Sequence, residues 1–295
     1  MTARYPFEAC AYARTLAEAS DAFRRQMMPD ARELEDEEGL GPDPFDEEGE
    51  ASGCFGLKQR FPDRVLVMAS DSCFMNCRHC TRKGLLRQAD VVRTDEELQT
   101  CVSYVQDHPL VRDVLISGGD PLVLPDEEVM RFVRAFAGLA QVDVVRLCTR
   151  APCVNPARVT RSLAALLGRS GKVWVNVQFN HPDEVTPEAA EACENLVRAG
   201  LPVSCQTVLL AGVNDSADVL LDLFRALQRA RVRPYYVFQC DPVAGVSHFR
   251  VPLERAIEIE RECATRIGGL GLPRFVADVP GAPRKIPLAE VGDFR

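Results

Sequence analysis

From Arg64 onward the chain repeats one pattern: a short run rich in β-branched residues, a turn, then a longer amphipathic stretch. The runs fall at Val65–Ser70, Asp113–Ser117, Asp143–Thr149, Lys172–Gln178, Pro202–Val208 and Arg233–Gln239, and Arg274–Asp278 is a further strand candidate. Helices are expected near Asp95–Gln106, Pro125–Leu139, Pro156–Leu167, Pro187–Ala199, Ser216–Ala230 and Pro252–Ile267. Several open on Asp or Pro, which suit the first turn of a helix. Strand–helix alternation implies a parallel sheet with helical crossovers. Six such units predict an α/β fold, an open and partial (β/α)6 TIM-like barrel. Ahead of it, Phe7 to Met28 carries apolar residues at helical spacing. Glu33 to Glu50 is rich in Glu, Asp, Gly and Pro and reads as a solvated surface segment. The expected organisation is residues 1–60 as a helical and acidic extension, 61–270 as the barrel and 271–295 as a C-terminal segment.

The residues suited to chemistry fall at or just after the ends of these runs. Cys73, Cys77 and Cys80 follow the first, Ser117-Gly-Gly-Asp120 ends the second, and Arg150 follows the third. Asn180 and His181 follow the fourth, Gln206 is late in the fifth, and Asp241 follows the sixth. A barrel gathers such positions on one face, where enzymes of this architecture place their chemistry.

The three cysteines form a C-x3-C-x2-C run. Disulfide pairing would leave one sulfur over, and zinc usually takes four ligands, often as two separated pairs. Four cysteines normally close an iron–sulfur cluster, so three holding a cubane leave one iron open to a small molecule. Twelve cysteines and an N-terminus without the basic-then-apolar shape of a signal peptide predict a reducing, cytoplasmic setting rather than a disulfide scaffold. A net charge of −8 argues against nucleic acid as a partner, and no apolar run approaches a membrane span.

The cysteine spacing resembles that of the radical S-adenosylmethionine (SAM) enzymes. Three further stretches, Phe61-Pro-Asp-Arg-Val-Leu-Val-Met-Ala-Ser-Asp71, Ser117-Gly-Gly-Asp-Pro-Leu122 and Pro280-Gly-Ala-Pro-Arg-Lys-Ile-Pro-Leu288, make the likeness one to the lysine 2,3-aminomutase family, from about Phe23 to Leu288. The resemblance implies a barrel of the radical SAM type and an isomerase that moves the amino group of L-lysine from C2 to C3. It implies a [4Fe–4S] cluster on Cys73, Cys77 and Cys80, with SAM on the open iron. Ser117, Gly118, Gly119 and Asp120 fall at the SAM amino group and Arg150 at its carboxylate. From the residues alone, Asp120 either fixes the turn or meets an ammonium. Lys285 falls on the lysine that carries pyridoxal 5′-phosphate (PLP), Arg64 on a phosphate-binding arginine and Gln206 on a polar neighbour of PLP. Arg82 falls on the group that binds the substrate carboxylate, and Asp241 and Asp278 on the two carboxylates that hold the distant ammonium of lysine. An electron donor of the flavodoxin or ferredoxin kind is implied as partner.

Several positions depart from the family pattern. Gly281-Ala-Pro-Arg284 stands where glycines usually precede the PLP lysine, and Phe61, Gln178 and Phe238 replace a tyrosine, a histidine and a tyrosine. Ser216 stands at a zinc-binding cysteine position, and the sequence ends at Arg295 before the further zinc cysteines, so no zinc is expected. The other readings are the same chemistry on ornithine or arginine, and a radical SAM enzyme with PLP-independent chemistry. The remaining cysteines, Cys101, Cys193 and Cys263 among them, are expected to be buried as small apolar residues.

Overall fold

A computed structural model describes residues 4–35, 40–45, 54, 56–84 and 93–294. Each of the six β-branched runs is a parallel strand: β2 (Arg64–Ser70), β3 (Asp113–Gly118), β4 (Val144–Thr149), β5 (Val173–Gln178), β6 (Val203–Leu209) and β7 (Arg233–Gln239). The candidate seventh run, β8 (Arg274–Ala277), continues the sheet in parallel. Two short antiparallel strands, β1 (Leu57–Phe61) and β9 (Ile286–Pro287), escaped the sequence pattern and flank the sheet, whose order is β1 through β9 in sequence. The sheet opens between its first and last strands.

The crossover helices lie near their expected places: α3 (Asp95–Asp107), α4 (Asp126–Ala137), a short α5 (Ala151–Val154), α6 (Arg161–Gly168), α7 (Pro187–Arg198), α8 (Ala217–Arg229) and α9 (Leu253–Ala264). The stretch expected as one helix from Pro156 is a 3-10 turn over Pro156–Arg158 followed by α6. The break falls at Thr160, whose hydroxyl accepts from Leu163 N and so caps a new helix start. Strand residues alternate between two environments. Val65, Val67, Val114, Ile116, Val145, Leu147, Val175 and Val177 are buried, in one core with Phe132, Phe136, Leu163 and Phe224 of the helices. The opposite alternation carries Arg64, Asp113, Arg146, Gln178, Gln206 and Phe238 to the other, inner face. No described helix is long and apolar enough to cross a membrane. All twelve cysteines are free thiols; outside the cysteine loop Cys101, Cys193 and Cys263 are buried as expected, whereas Cys10 and Cys148 are only half-buried.

The N-terminal extension corrects one expectation. It forms α1 (Ala11–Ala19) and α2 (Asp21–Met27), then a 3-10 turn over Ala31–Leu34. Glu33, read from sequence as the start of a solvated stretch, is only 3 % exposed. Its carboxylate takes Arg78 through both oxygens, Nε at 2.8 Å, and Lys83 Nζ at 3.2 Å. Composition hid this because the partners lie some 45 to 50 residues away. Residues 36–39 and 46–50 of that acidic stretch lie outside the described residues. Removing one partner of a buried ion pair leaves the other charges uncompensated. Glu33→Ala is therefore expected to destabilise the protein by about 3–5 kcal/mol, read by chemical denaturation of the cluster-free chain.

Candidate functional site

Strand β2 ends at Ser70 and releases the chain into the cysteine loop, which the extension clasps from outside. Cys10 N donates to Phe74 O at 2.8 Å, Asn76 N to Glu8 O at 2.9 Å and Arg78 N to Gln26 O at 2.8 Å. Arg78 Nη1 reaches Pro6 O at 2.7 Å, and Lys83 Nζ ties the loop to Gly245 O at 2.8 Å. The extension thus fixes both ends of the segment that holds Cys73, Cys77 and Cys80.

The second strand end is built against this loop. Gly119 N donates to Ser70 O at 2.6 Å and Asp120 N to Ser72 O at 2.7 Å. A Cβ on Gly119 would sit 2.1 Å from Ser72 O, and one on Gly118 2.3 Å from Ser70 O. Gly118 also has φ +116°, which side chains rarely adopt. The paired glycines therefore admit close approach of the chain's own cysteine loop. Asp120 fixes the turn, one of the two roles its position allows. Its buried carboxylate accepts from Thr149 Oγ1 at 2.7 and 2.9 Å, Arg150 N at 2.7 Å and Leu122 N at 3.0 Å, joining the ends of β3 and β4. Ser117, the penultimate residue of β3, is buried as well.

Three thiols meet here. Burial pushes the Cys73 thiol well up, and the neighbouring Cys80, Asp120 and Cys77 push it further. The shift keeps this thiol neutral, and iron binding would deprotonate it outright. Among the described residues no trio of His, Cys, Asp and Glu closes on a single point as a mononuclear ion requires. Three cysteine thiols on one loop are a donor set suited to an iron–sulfur cluster with one open iron. Arg82 N donates to Cys80 Sγ at 3.3 Å, and Arg82 Nη1 lies 3.4 Å from Gly118 O, between the loop and the β3 end.

Arg150 enters α5 with its guanidinium buried. Nη1 lies 2.9 Å from Cys77 Sγ, while Nη2 meets Gln26 Oε1 at 2.7 Å and Glu184 Oε1 at 3.2 Å. Burial opposes its charge most, but Cys77 and Glu184 together hold it firmly protonated. Asn180 binds Gln26 Oε1 at 2.9 Å through Nδ2 and approaches His79 Nε2 at 3.3 Å. Gln178 Nε2 lies 3.1 Å from the same His79 nitrogen. Burial, then Arg150 and Lys83, keep His79 well below the usual imidazole range and hence neutral.

On the other side of the loop, Thr81 Oγ1 donates to Asp241 Oδ2 at 2.7 Å. Burial pushes Asp241 up to about 6, with Asp278 adding to the effect and the Thr81 hydrogen bond, Lys285 and Arg60 opposing it. Asp241 and Asp278 line a cavity of about 480 Å3 between the ends of β7 and β8 and the start of α9, a volume suited to a small ligand. Asp278 pairs with Lys285 and takes both Arg60 nitrogens, Nη1 at 3.0 Å and Nη2 at 2.6 Å. Burial pushes Lys285 below the usual lysine range and Asp278 resists that shift. Three cations surround one ring, that of Phe61: Arg60 at 5.7 Å, Arg64 at 4.7 Å and Lys285 at 5.7 Å. Phe238 lies 5.2 Å from Lys285. An aromatic floor with a half-buried lysine and two arginines suits a flat, phosphate-bearing aldehyde such as PLP. Gln206 stands on β6 between Gln178 of β5 and Tyr236 of β7 on the inner face.

The structure thus brings Lys285, Asp278 and Asp241 together and links them through Thr81 to the cysteine loop. Arg64 pairs with its neighbour Asp63 at 3.0 Å and stacks on Phe61. Sequence reasoning missed Arg60, Gln26, Glu184 and Glu33. Only Arg60 carried a signal, as one of two arginines bracketing Phe61-Pro-Asp. Glu184 sits in an unremarkable Pro-Asp-Glu turn.

Residues 67–224 match the model of the Radical SAM superfamily. The chain is 40% identical over 290 residues to a protein of Aquifex aeolicus provisionally named an L-lysine 2,3-aminomutase, covering 96% of this chain and 78% of that one. It is 41% identical over 269 residues to the L-lysine 2,3-aminomutase of Acetoanaerobium sticklandii, covering 91% of this chain but 65% of the relative. The glutamate 2,3-aminomutase of Clostridioides difficile is 36% identical over 270 residues, covering 91% of this chain and 63% of the relative. The chain therefore spans under two thirds of the length of several of these enzymes. Among solved structures, a radical SAM methyltransferase from Sphaerobacter thermophilus overlays at TM-score 0.57 and 18% identity, covering 77% of this chain and 69% of the other. Streptococcus suis SuiB bound to S-adenosylmethionine overlays at 0.54 and 15%, covering 74% and 51%. These likenesses show the shared barrel fold. With its superfamily match and its 40% identity across nearly its whole length, the chain belongs to the lysine 2,3-aminomutase family of radical SAM enzymes.

Proposed function

We propose that this chain moves the amino group of L-lysine from C2 to C3, giving β-lysine, with a [4Fe–4S] cluster, SAM and PLP. The observation that carries the reading is the Asp241–Asp278 pair in one cavity beside a half-buried lysine, one threonine away from the cysteine loop. The cluster and SAM supply a carbon radical from SAM after one-electron reduction, and PLP supplies a conjugated system on which the amino nitrogen can migrate. The protein holds and orients them. Cys73, Cys77 and Cys80 bind the iron, and Ser117 through Asp120 and Arg150 border the SAM position. Lys285 anchors PLP, with Arg60, Arg64 and Gln206 on the phosphate side. Arg82 is placed for the substrate carboxylate. A reductant of the flavodoxin or ferredoxin class supplies the electron.

Two carboxylates favour a cationic side chain over the acidic one of glutamate. Asp278 is held by Lys285 and Arg60, the two cations that a phosphate-bearing aldehyde recruits. It becomes available to the substrate ammonium to the extent that they turn to the cofactor.

Asp241 gives this reading a pH signature. Its folded value of about 6 lies above the usual carboxylate value of about 3.9. The folded protein therefore holds an extra proton between these values, and stability falls as pH rises through that window. Only the ionised form, prevalent above about pH 6, attracts an ammonium. KM for lysine is expected to rise about tenfold per unit as pH falls below that value, as titration of one group requires. Asp241→Asn is expected to give a higher KM without this limb. A profile unchanged by the substitution would remove Asp241 from the ammonium site.

A further inference from the structure

The Arg150 side chain is held through both terminal nitrogens, and one of their partners is a cluster cysteine, while the buried Nε has no hydrogen-bond partner among the described residues. Nη1 lies against Cys77 Sγ at 2.9 Å, Nη2 is shared between Gln26 and Glu184, and the backbone nitrogen is fixed on Asp120. The Phe23 ring lies 5.7 Å from the guanidinium carbon. Behind it, Glu184 is 0% exposed and fully engaged. Oε1 takes Gln26 Nε2 at 2.6 Å as well as Arg150, and Oε2 takes Asn180 N at 2.8 Å and Cys153 Sγ at 3.3 Å. A cation is thus locked onto a ligand sulfur, and its counter-charge is locked one layer further out.

We propose that Arg150 and Glu184 are positioning residues that set the reduction potential of the cluster from opposite directions, Arg150 raising it and Glu184 restraining that rise. Reduction adds one negative charge to the cluster. A cation hydrogen-bonded to Cys77 stabilises the reduced form more than the oxidised form and raises the potential. Net charge and hydrogen bonds to the sulfurs are the protein's means of tuning such clusters. Glu184 opposes this at longer range while keeping Arg150 aimed. The pair balances two needs: a cluster that the external reductant can reduce, and one reducing enough to cleave SAM.

This inference rests on the cluster reading of Cys73, Cys77 and Cys80, so the test must separate the two. The full chain is reconstituted anaerobically with iron and sulfide, and iron content is measured. The reduced-cluster electron paramagnetic resonance signal is then titrated against potential without SAM. Arg150→Met is expected to lower the reduced-to-oxidised ratio, at the wild-type midpoint, about tenfold, equivalent to about 59 mV for one electron. Glu184→Gln is expected to raise that ratio severalfold, and Arg150→Lys, which keeps the cation, to change it less than about twofold. General loosening of the fold would not give opposite signs. Arg150→Met and Glu184→Gln moving together, or neither moving in protein with a full cluster, overturns the proposal. If Arg150→Met takes up no iron, Glu184→Gln decides: a raised ratio supports the proposal and an unchanged one overturns it. Wild-type protein that binds no four-iron cluster defeats the underlying site reading instead.

Discussion

Lys285→Ala is expected to abolish β-lysine formation while leaving reductive cleavage of SAM in place. The lysine nitrogen sits beside Asp278, with the rings of Phe61 and Phe238 within 5.7 Å. The cysteine loop is linked to it through Asp241 and Thr81. Losing the nitrogen removes the covalent anchor for PLP but touches no cluster ligand. Turnover should fall on the order of 10³-fold or more, as when a reacting group loses its fixed position. Cofactor absorbance should disappear after gel filtration, and 5′-deoxyadenosine should still form slowly. Retained PLP absorbance with retained β-lysine would move the anchor to another residue. Burial favours the neutral amine that must attack a carbonyl, and Asp278 opposes it. Loss of that carboxylate in Asp278→Asn should therefore ease deprotonation of Lys285 even as it weakens substrate binding.

Gly119→Ala is expected to cost the protein its cluster. The added Cβ would lie 2.1 Å from Ser72 O, 2.7 Å from Ser72 C and 2.8 Å from Ser72 N. All three are backbone atoms of the segment leading into Cys73, and no rotamer change relieves them. Ordinary overpacking costs about 1–3 kcal/mol where side chains can adjust. Here the strand end or the cysteine loop must move instead, and the hydrogen bonds Gly119 N to Ser70 O and Asp120 N to Ser72 O would break. Iron content after reconstitution should fall severalfold, together with the thermal midpoint of the cluster-free chain. Normal iron content would mean that the loop yields without losing ligand geometry, and that the glycine pair serves chiefly to admit SAM.

The two chemistries of the site were legible to different degrees. The strands from Arg64 to Gln239 followed from β-branched periodicity because parallel strands buried by helices must carry it. Strands β1 and β9 did not follow. Lys58-Gln-Arg60 is polar and Ile286–Pro287 is two residues long, so neither has a periodicity to detect. Cys73, Cys77 and Cys80 were legible from spacing, and Lys285 only through its neighbours' resemblance to a family. The Ser117–Asp120 turn was found but its partner was not: its glycines face the backbone of Ser70 and Ser72, a contact between separate strand ends. Arg150 was singled out for SAM, whereas its described contacts are Cys77, Gln26 and Glu184. Those partners come from the loop after β2, from α2 and from a turn after β5, brought together only by the tertiary structure. Glu33 shows the same limit, since an acidic composition cannot reveal that one carboxylate in the run is buried between Arg78 and Lys83.

The most direct test is product formation. The chain is reconstituted anaerobically with iron and sulfide and supplied with SAM, PLP, a low-potential reductant and L-lysine, and β-lysine is sought by mass spectrometry. The account predicts β-lysine from the wild-type chain and none from Cys77→Ala or Lys285→Ala. It also predicts that L-glutamate gives no β-amino acid. Protein with a full cluster and bound PLP that makes deoxyadenosine but no β-lysine would contradict the assignment of Asp241 and Asp278 to the ammonium of lysine.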